Sequence, residues 1–143
     1  MNMEFFVRDA EWHADGERLR QVRHEVFVLE QQVPESLEWD GLDGDCRHAL
    51  AQTRAGEPIA TGRLLADGHI GRIAVRAGWR GRGVGAAVFE HLLAVAAREG
   101  RHELLLNAQT HALGFYARYG FVAEGAVFSE AGIAHQVMRR TAG

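Results

Sequence analysis

The chain of 143 residues carries a formal net charge of −3 and is 47% hydrophobic, and this length predicts one domain, residues 1–143, with a single core. The mildly negative charge argues against nucleic-acid binding, because a phosphate backbone needs a basic face. No apolar run approaches the roughly 20 residues that span a bilayer, residues 1–4 lack the basic start of a signal peptide, and Cys46 is the only cysteine, so we expect a cytoplasmic protein without a membrane partner.

A strand, a helix and a loop are predicted in the first third of the chain. Residues 3–8 can form a strand, and apolar residues at helical spacing predict a helix over residues 17–31. Pro34 ends this helix, because the residue before a proline avoids the α conformation. From 35 to 45 the chain is acidic and contains two glycines, a composition typical of a surface loop.

An antiparallel meander is predicted next, and then a crossover from strand to helix to strand. A strand that follows such a crossover lies parallel to the first one, so the pattern predicts a mixed α/β sheet. The predicted elements are strands at 48–53, 58–65 and 69–75, a helix that Gly100 ends, a strand at 103–108, a helix at 112–119, and a hairpin of 121–128 with 133–139.

Residues 73–85 are the most informative segment, because an apolar strand runs through a turn of arginine and glycine into a helix. Glycines lack the Cβ atom that would keep a ligand away from the main chain, so consecutive N–H groups can point at phosphate oxygens. The unpaired amides and the dipole of the following helix favour the same ligand. The segment therefore predicts an anion-binding site formed by Arg80, Gly81, Arg82, Gly83 and Gly85.

The motif Arg-x-x-Gly-x-Gly at 80–85, the strand that follows it and the sequence Gly-Phe-Tyr-Ala-Arg-Tyr-Gly-Phe at 114–121 resemble the GNAT superfamily of N-acetyltransferases. Segments 25–31 and 131–138 resemble its ElaA-like subgroup, with Ala131 where an acid is expected. The resemblance implies one α/β domain with a mixed, mostly antiparallel sheet flanked by helices. In that fold a central parallel strand pair splays apart, and the pantetheine of acyl-CoA lies in the gap.

The resemblance also implies acetyl-CoA as co-substrate and names the residues that bind it. Main-chain groups of the strand are expected to bind the pantetheine and the acetyl carbonyl, and amides of the turn the pyrophosphate. Many family members carry Asn where this chain has Gln109, so the contact of that residue with CoA stays open. No His-x-x-x-His spacing occurs, so no metal is predicted. The expected cofactor-binding residues are Ile73, Ala74, Val75, Arg80, Gly81, Arg82, Gly83, Val84, Gly85 and Gln109.

Acetyl transfer needs a neutral amine, and deprotonating an amine with a pKa of about 10.4 near neutral pH costs on the order of 4 kcal/mol. His135 matches a histidine of the ElaA-like pattern and is the candidate base, with His111 as the alternative, and either histidine could instead be structural. By resemblance Tyr116 protonates the departing thiolate, and Tyr119 competes for this role. Acids that could together hold a cationic amine are Glu30, Glu38, Asp40 and Asp43.

The predicted function is acetyl-CoA-dependent acetyl transfer to a primary amine of a small molecule, peptide or protein, in a family where homodimers are common. A non-catalytic acyl-CoA-binding module is one alternative. A dinucleotide-binding oxidoreductase is another, because Gly81-x-Gly83-x-x-Ala86 satisfies a loose form of the Rossmann pattern. That pattern requires an acidic residue at the end of the next strand, and residues 106–109 contain none.

Overall fold

The computed structural model describes residues 4–141, so Met3, where the first predicted strand begins, lies outside the described residues. Between residues 4 and 141, no helix is long and apolar enough to cross a membrane. The elements are β1 (Phe5–Ala10), α1 (Trp12–Arg23), a π-helix (His24–Glu30), α2 (Glu35–Glu38), β2 (Arg47–Thr53), β3 (Pro58–Leu64), β4 (Ile70–Val75), α3 (Val84–Arg98), β5 (Glu103–Gln109), α4 (Leu113–Ala117), β6 (Val122–Glu130) and β7 (Ile133–Thr141).

The strands form two antiparallel sheets, in the orders β1-β2-β3-β4 and β5-β7-β6. In the described part of the chain the sheets are joined by one parallel bridge between His69 and Leu105, where the Leu105 amide donates to the Gly68 carbonyl at 3.0 Å. The α/β class is therefore confirmed. The expected central parallel pair is reduced to this one bridge. Along the rest of their length, the facing edges of β4 and β5 are not hydrogen-bonded to each other and are available to a ligand.

Helix α3 packs its apolar face on the first sheet and thereby fixes the position of the glycine turn. Val88, Phe89 and Leu92 are fully buried. A Cβ at Gly62 of β3 would lie 2.8 Å from Val88 Cγ1 and 2.9 Å from Leu92 Cδ1, so the helix contacts the strand backbone directly. The first turn of α3 consequently lies beside the end of β4.

The structure differs from the expectation in the first helix and in the acidic loop. Helix α1 already begins at Trp12, and residues 24–30 of the predicted helix are π-helical. The stretch 35–45 contains the short helix α2, and Glu38 and Asp43 within it are only 1% and 4% exposed. The prediction of a surface loop is therefore wrong for these two residues, because arginines of other elements pair with them in the interior.

The β6–β7 hairpin turns through Ala131 and Gly132, whose φ angles of 51° and 78° are both positive. Such a turn favours Asn or Gly at its first position, because an ordinary side chain is strained there. We expect Ala131→Asn to raise the free energy of unfolding by about 1 kcal/mol, measured by urea denaturation. The same change at Ala123, an exposed residue of β6, should give no gain, and an equal gain at both sites would contradict the turn as the cause.

Candidate active site

A cavity of about 470 Å³ lies between the diverging edges of β4 and β5. On one side β4 pairs with β3, Val75 opposite Ala60 and Ala74 opposite Thr61. Its other edge faces the cavity along residues 70–75. Main-chain groups of the predicted pantetheine-binding strand are thus available to an extended ligand, in the way that a sheet edge receives an added strand.

The glycine turn lies next to this edge, at the start of the 15-residue helix α3. Gly81 and Gly83 have φ angles of 75° and 80°, a conformation that explains why glycine is needed at both positions. Among residues 4–141, leaving aside each glycine and its chain neighbours, no heavy atom lies within 4 Å of the place where a Cβ would stand on Gly81 or Gly83. The helix N-terminus is therefore open and unshielded, an arrangement that fits the pyrophosphate of CoA.

Both predicted phosphate-binding arginines are paired with carboxylates. Arg80 lines the cavity, donates from Nη2 to Glu30 Oε1 at 2.6 Å and from Nε to the Val75 carbonyl at 3.0 Å, and lowers the pKa of Glu30. Arg82 contacts Glu4 at 3.2 Å and lies over the Trp79 ring, 4.9 Å from its centroid. An anion at the turn must therefore share these guanidinium groups with the acids.

The two candidate tyrosines have different surroundings. Tyr116 lines the cavity, its ring packs edge-on against Phe89 with centroids 5.2 Å apart, and burial raises the pKa of its phenol. The raised pKa keeps the hydroxyl protonated, as a proton donor requires. The Tyr119 hydroxyl instead donates to Glu90 at 2.6 Å, and Tyr119 is not among the described residues that line the cavity.

His135 also lines the cavity and is 7% exposed. Its Nδ1 lies 2.7 Å from the Ile133 carbonyl oxygen. Because a carbonyl only accepts, Nδ1 must carry the proton in the neutral ring, which leaves Nε2 as the basic nitrogen. His111, the other candidate base, is exposed and is not among the described lining residues.

The structure brings Glu130 and Asn107 to His135, two residues that the sequence did not single out as catalytic or acceptor-binding. Glu130 Oε2 lies 3.6 Å from His135 Nε2, and Asn107 Nδ2 donates to Glu130 Oε1 at 3.2 Å. The hairpin register could have revealed Glu130. Phe128 pairs with His135, and Glu130 lies two residues after Phe128, so its side chain is on the same face of the sheet as His135. Gln109 pairs with His135 in register and lines the cavity as well.

The acids proposed to hold a cationic amine already have guanidinium partners. Arg23 donates to Glu38 and to Asp43, each at 2.6 Å. All three side chains are almost fully buried, where unpaired charges would be costly. Glu38 and Asp43 therefore bind arginine, and Glu30 is occupied by Arg80 as described above.

Arg63 and Arg72 extend this charge network to the wall of the cavity, which both residues line. Arg63 contacts Asp40 at 2.5 Å and Asp43 at 2.9 Å, and Arg72 contacts Glu38 at 3.3 Å and Asp40 at 3.4 Å. The hydrogen bond from Arg63 lowers the pKa of Asp40 to about 2. Three arginines and three acids thus form a neutral charge network that holds the stretch 35–45 against α1, β3 and β4. Its members Arg23, Glu38, Asp43 and Arg63 are buried, while Asp40 and Arg72 are partly exposed.

Known proteins share this sequence pattern and this fold. Residues 13–142 match the family model described as the acetyltransferase (GNAT) domain. Protein ElaA of Escherichia coli (strain K12) is 34% identical over 85% of this chain and 84% of its own, and the ElaA crystal structure matches with a TM-score of 0.84 at 31% identity, over 95% of this chain and 99% of that chain.

Two other crystal structures are informative. An acyl-CoA N-acyltransferase from Pseudomonas aeruginosa matches with a TM-score of 0.86 at 35% identity, over 96% of this chain and 99% of that chain. A GNAT family acetyltransferase from Elizabethkingia anophelis, solved with acetyl-CoA bound, matches with a TM-score of 0.71 over 98% and 99% of the two chains. At 16% identity the second structure shares the fold alone.

Proposed function

The chain belongs to the GNAT acetyltransferase family, and we propose that it moves the acetyl group of acetyl-CoA directly to a primary amine of a small molecule, peptide or protein. The observation that carries this proposal is the cavity between β4 and β5, because its lining includes both Tyr116 and His135. The antiparallel sheets contradict the dinucleotide-binding alternative, which needs a parallel, doubly wound sheet.

The edge of β4 and the glycine turn divide the binding of acetyl-CoA between them. A micromolar ligand needs about 8 kcal/mol, whereas a charge at a helix N-terminus contributes about 0.3–1 kcal/mol, and about 2 in favourable sites. The amides of Gly81–Gly85 cannot therefore hold the ligand alone. Main-chain hydrogen bonds from Ile73 and Val75 to the pantetheine supply a further part, with Ala74 between them.

In the proposed reaction His135 accepts a proton from the amine and Tyr116 donates a proton to the leaving group. His135 Nε2 takes one proton from the cationic amine, and the neutral nitrogen then forms a bond with the thioester carbonyl carbon. The carbon–sulfur bond breaks, and the Tyr116 hydroxyl donates its proton to the departing thiolate. The second proton that the nitrogen loses as the amide forms goes to the Tyr116 phenolate and restores the hydroxyl. Since a thiol has a pKa of about 8.5, the thiolate is already a fair leaving group, and this assistance is moderate.

Gly83→Val tests the binding site, with Gly100→Val at the other end of α3 as a matched control. Both glycines have positive φ angles, 80° and 69°, and open space where a Cβ would stand, so both variants should lose about 1–2 kcal/mol of stability. Only Gly83→Val places a side chain where the pyrophosphate approaches. We expect it to raise the Kd for acetyl-CoA roughly tenfold or more, measured by calorimetry, with little change for Gly100→Val.

Equal Kd values in the two variants would remove the glycine turn from the site. Release of CoA thiol in the presence of a panel of amines then tests the reaction itself. Acetyl-CoA binding without turnover on any amine would favour the non-catalytic acyl-CoA-binding module instead.

A further inference from the structure

Glu130 is the one carboxylate among the described residues that line the cavity. The three arginines of that lining are each paired with other acids: Arg63 with Asp40 and Asp43, Arg72 with Glu38 and Asp40, and Arg80 with Glu30. Within residues 4–141, no lysine or arginine pairs with Glu130. The wall around Glu130 and His135 therefore carries a negative charge that no neighbouring cation neutralises.

The geometry around Glu130 leaves a place for a hydrogen-bond donor. Asn107 holds one carboxylate oxygen at 3.2 Å, while the other oxygen faces His135 Nε2 at 3.6 Å, too far for a direct hydrogen bond. Because His135 Nδ1 donates to the Ile133 carbonyl, Nε2 of the neutral ring accepts. An ammonium nitrogen about 2.9 Å from both atoms could donate to each of them at once.

We propose that Glu130 holds the ammonium form of the acceptor beside His135, and that this contact makes the enzyme selective for aliphatic primary amines. Aliphatic amines have a pKa of about 10.4 and are cationic near neutral pH, whereas aromatic amines such as aniline are uncharged there. The ammonium group gives one proton to His135 Nε2 and remains next to the thioester as a neutral nucleophile. Asn107 positions the carboxylate. This inference rests on the proposed function.

The test compares Glu130→Gln with Glu124→Gln, a matched change on the same strand, where the carboxylate contacts Arg139 at 3.0 Å. Butylamine and aniline serve as acceptors at saturating acetyl-CoA. We expect Glu130→Gln to lower kcat/KM for butylamine roughly tenfold or more, the usual size for loss of a charge-assisted hydrogen bond. Its kcat/KM for aniline and its Kd for acetyl-CoA should stay level, and Glu124→Gln should leave all three quantities unchanged.

A second measurement does not depend on turnover. Butylammonium titrated into the CoA-bound protein should shift the NMR signals of the His135 ring, butanol should not, and Glu130→Gln should abolish the shift. The proposal is overturned if Glu130→Gln lowers kcat/KM for both amines equally or for neither, or if it still binds butylammonium as the native protein does. Failure of the native protein to bind acetyl-CoA would instead contradict the proposed function.

Discussion

Tyr116→Phe is expected to lower kcat for acetyl transfer by roughly 10² to 10⁴, the range for loss of a general acid, while the Kd for acetyl-CoA changes little. The phenylalanine keeps the ring that packs against Phe89 and removes only the hydroxyl. An effect on kcat without an effect on binding is the pattern of an interaction made mainly in the transition state. Steady-state kinetics and calorimetry on the same preparation measure the two quantities.

Tyr119→Phe is the control, because the Tyr119 hydroxyl donates to Glu90 outside the described cavity lining. It should be nearly silent. The pH profile of the native enzyme adds a check. Burial raises the pKa of Tyr116 above its usual value of 10.0, so the phenol stays protonated up to at least about pH 10, and its ionisation should not lower kcat at any pH below that value. Normal turnover by Tyr116→Phe, or a large loss of kcat in Tyr119→Phe, would show that Tyr116 is not the general acid.

Asp43→Asn is expected to lower the free energy of unfolding by about 3–5 kcal/mol, as for other buried ion pairs that lose one partner. Asp43 accepts from Arg23 at 2.6 Å and from Arg63 at 2.9 Å, and both arginines are almost fully buried. The asparagine keeps the shape but removes the charge, so two guanidinium groups lose their shared counterion. Urea denaturation measures the loss.

Glu103→Gln is the matched control, because Glu103 pairs with Arg139 on the surface and exposed pairs contribute about 0–1 kcal/mol. Burial opposes ionisation of Asp43, but its bonds to Arg23 and Arg63 outweigh this and lower its pKa below 3.8. Its stabilising contribution is therefore complete above about pH 4 and is lost as the pH falls further. Asp43→Asn should be less sensitive to acid in this range, and an equal loss in both variants would contradict a special role for the network.

Short-range patterns were enough to predict the elements that carry the site. The strand at 69–75 appears as Ile70–Val75, and the final hairpin of 121–128 with 133–139 appears as Val122–Glu130 paired with Ile133–Thr141. The left-handed conformation of Gly83 at the start of α3 also agrees with the predicted turn. These features depend on neighbours within a few residues, such as turn glycines and the spacing of apolar side chains, so the chain itself specifies them.

Only the tertiary structure decided which charges pair. The acidic composition of residues 35–45 predicted a solvated loop, yet Glu38 meets Arg23, 15 positions earlier, and Asp43 meets Arg63, 20 positions later. Glu130 likewise reaches Asn107 across 23 positions. A carboxylate next to water and one next to a buried guanidinium look the same in sequence, because the partner comes from a distant element and the desolvation that makes the pair matter arises only when the sheets and helices pack.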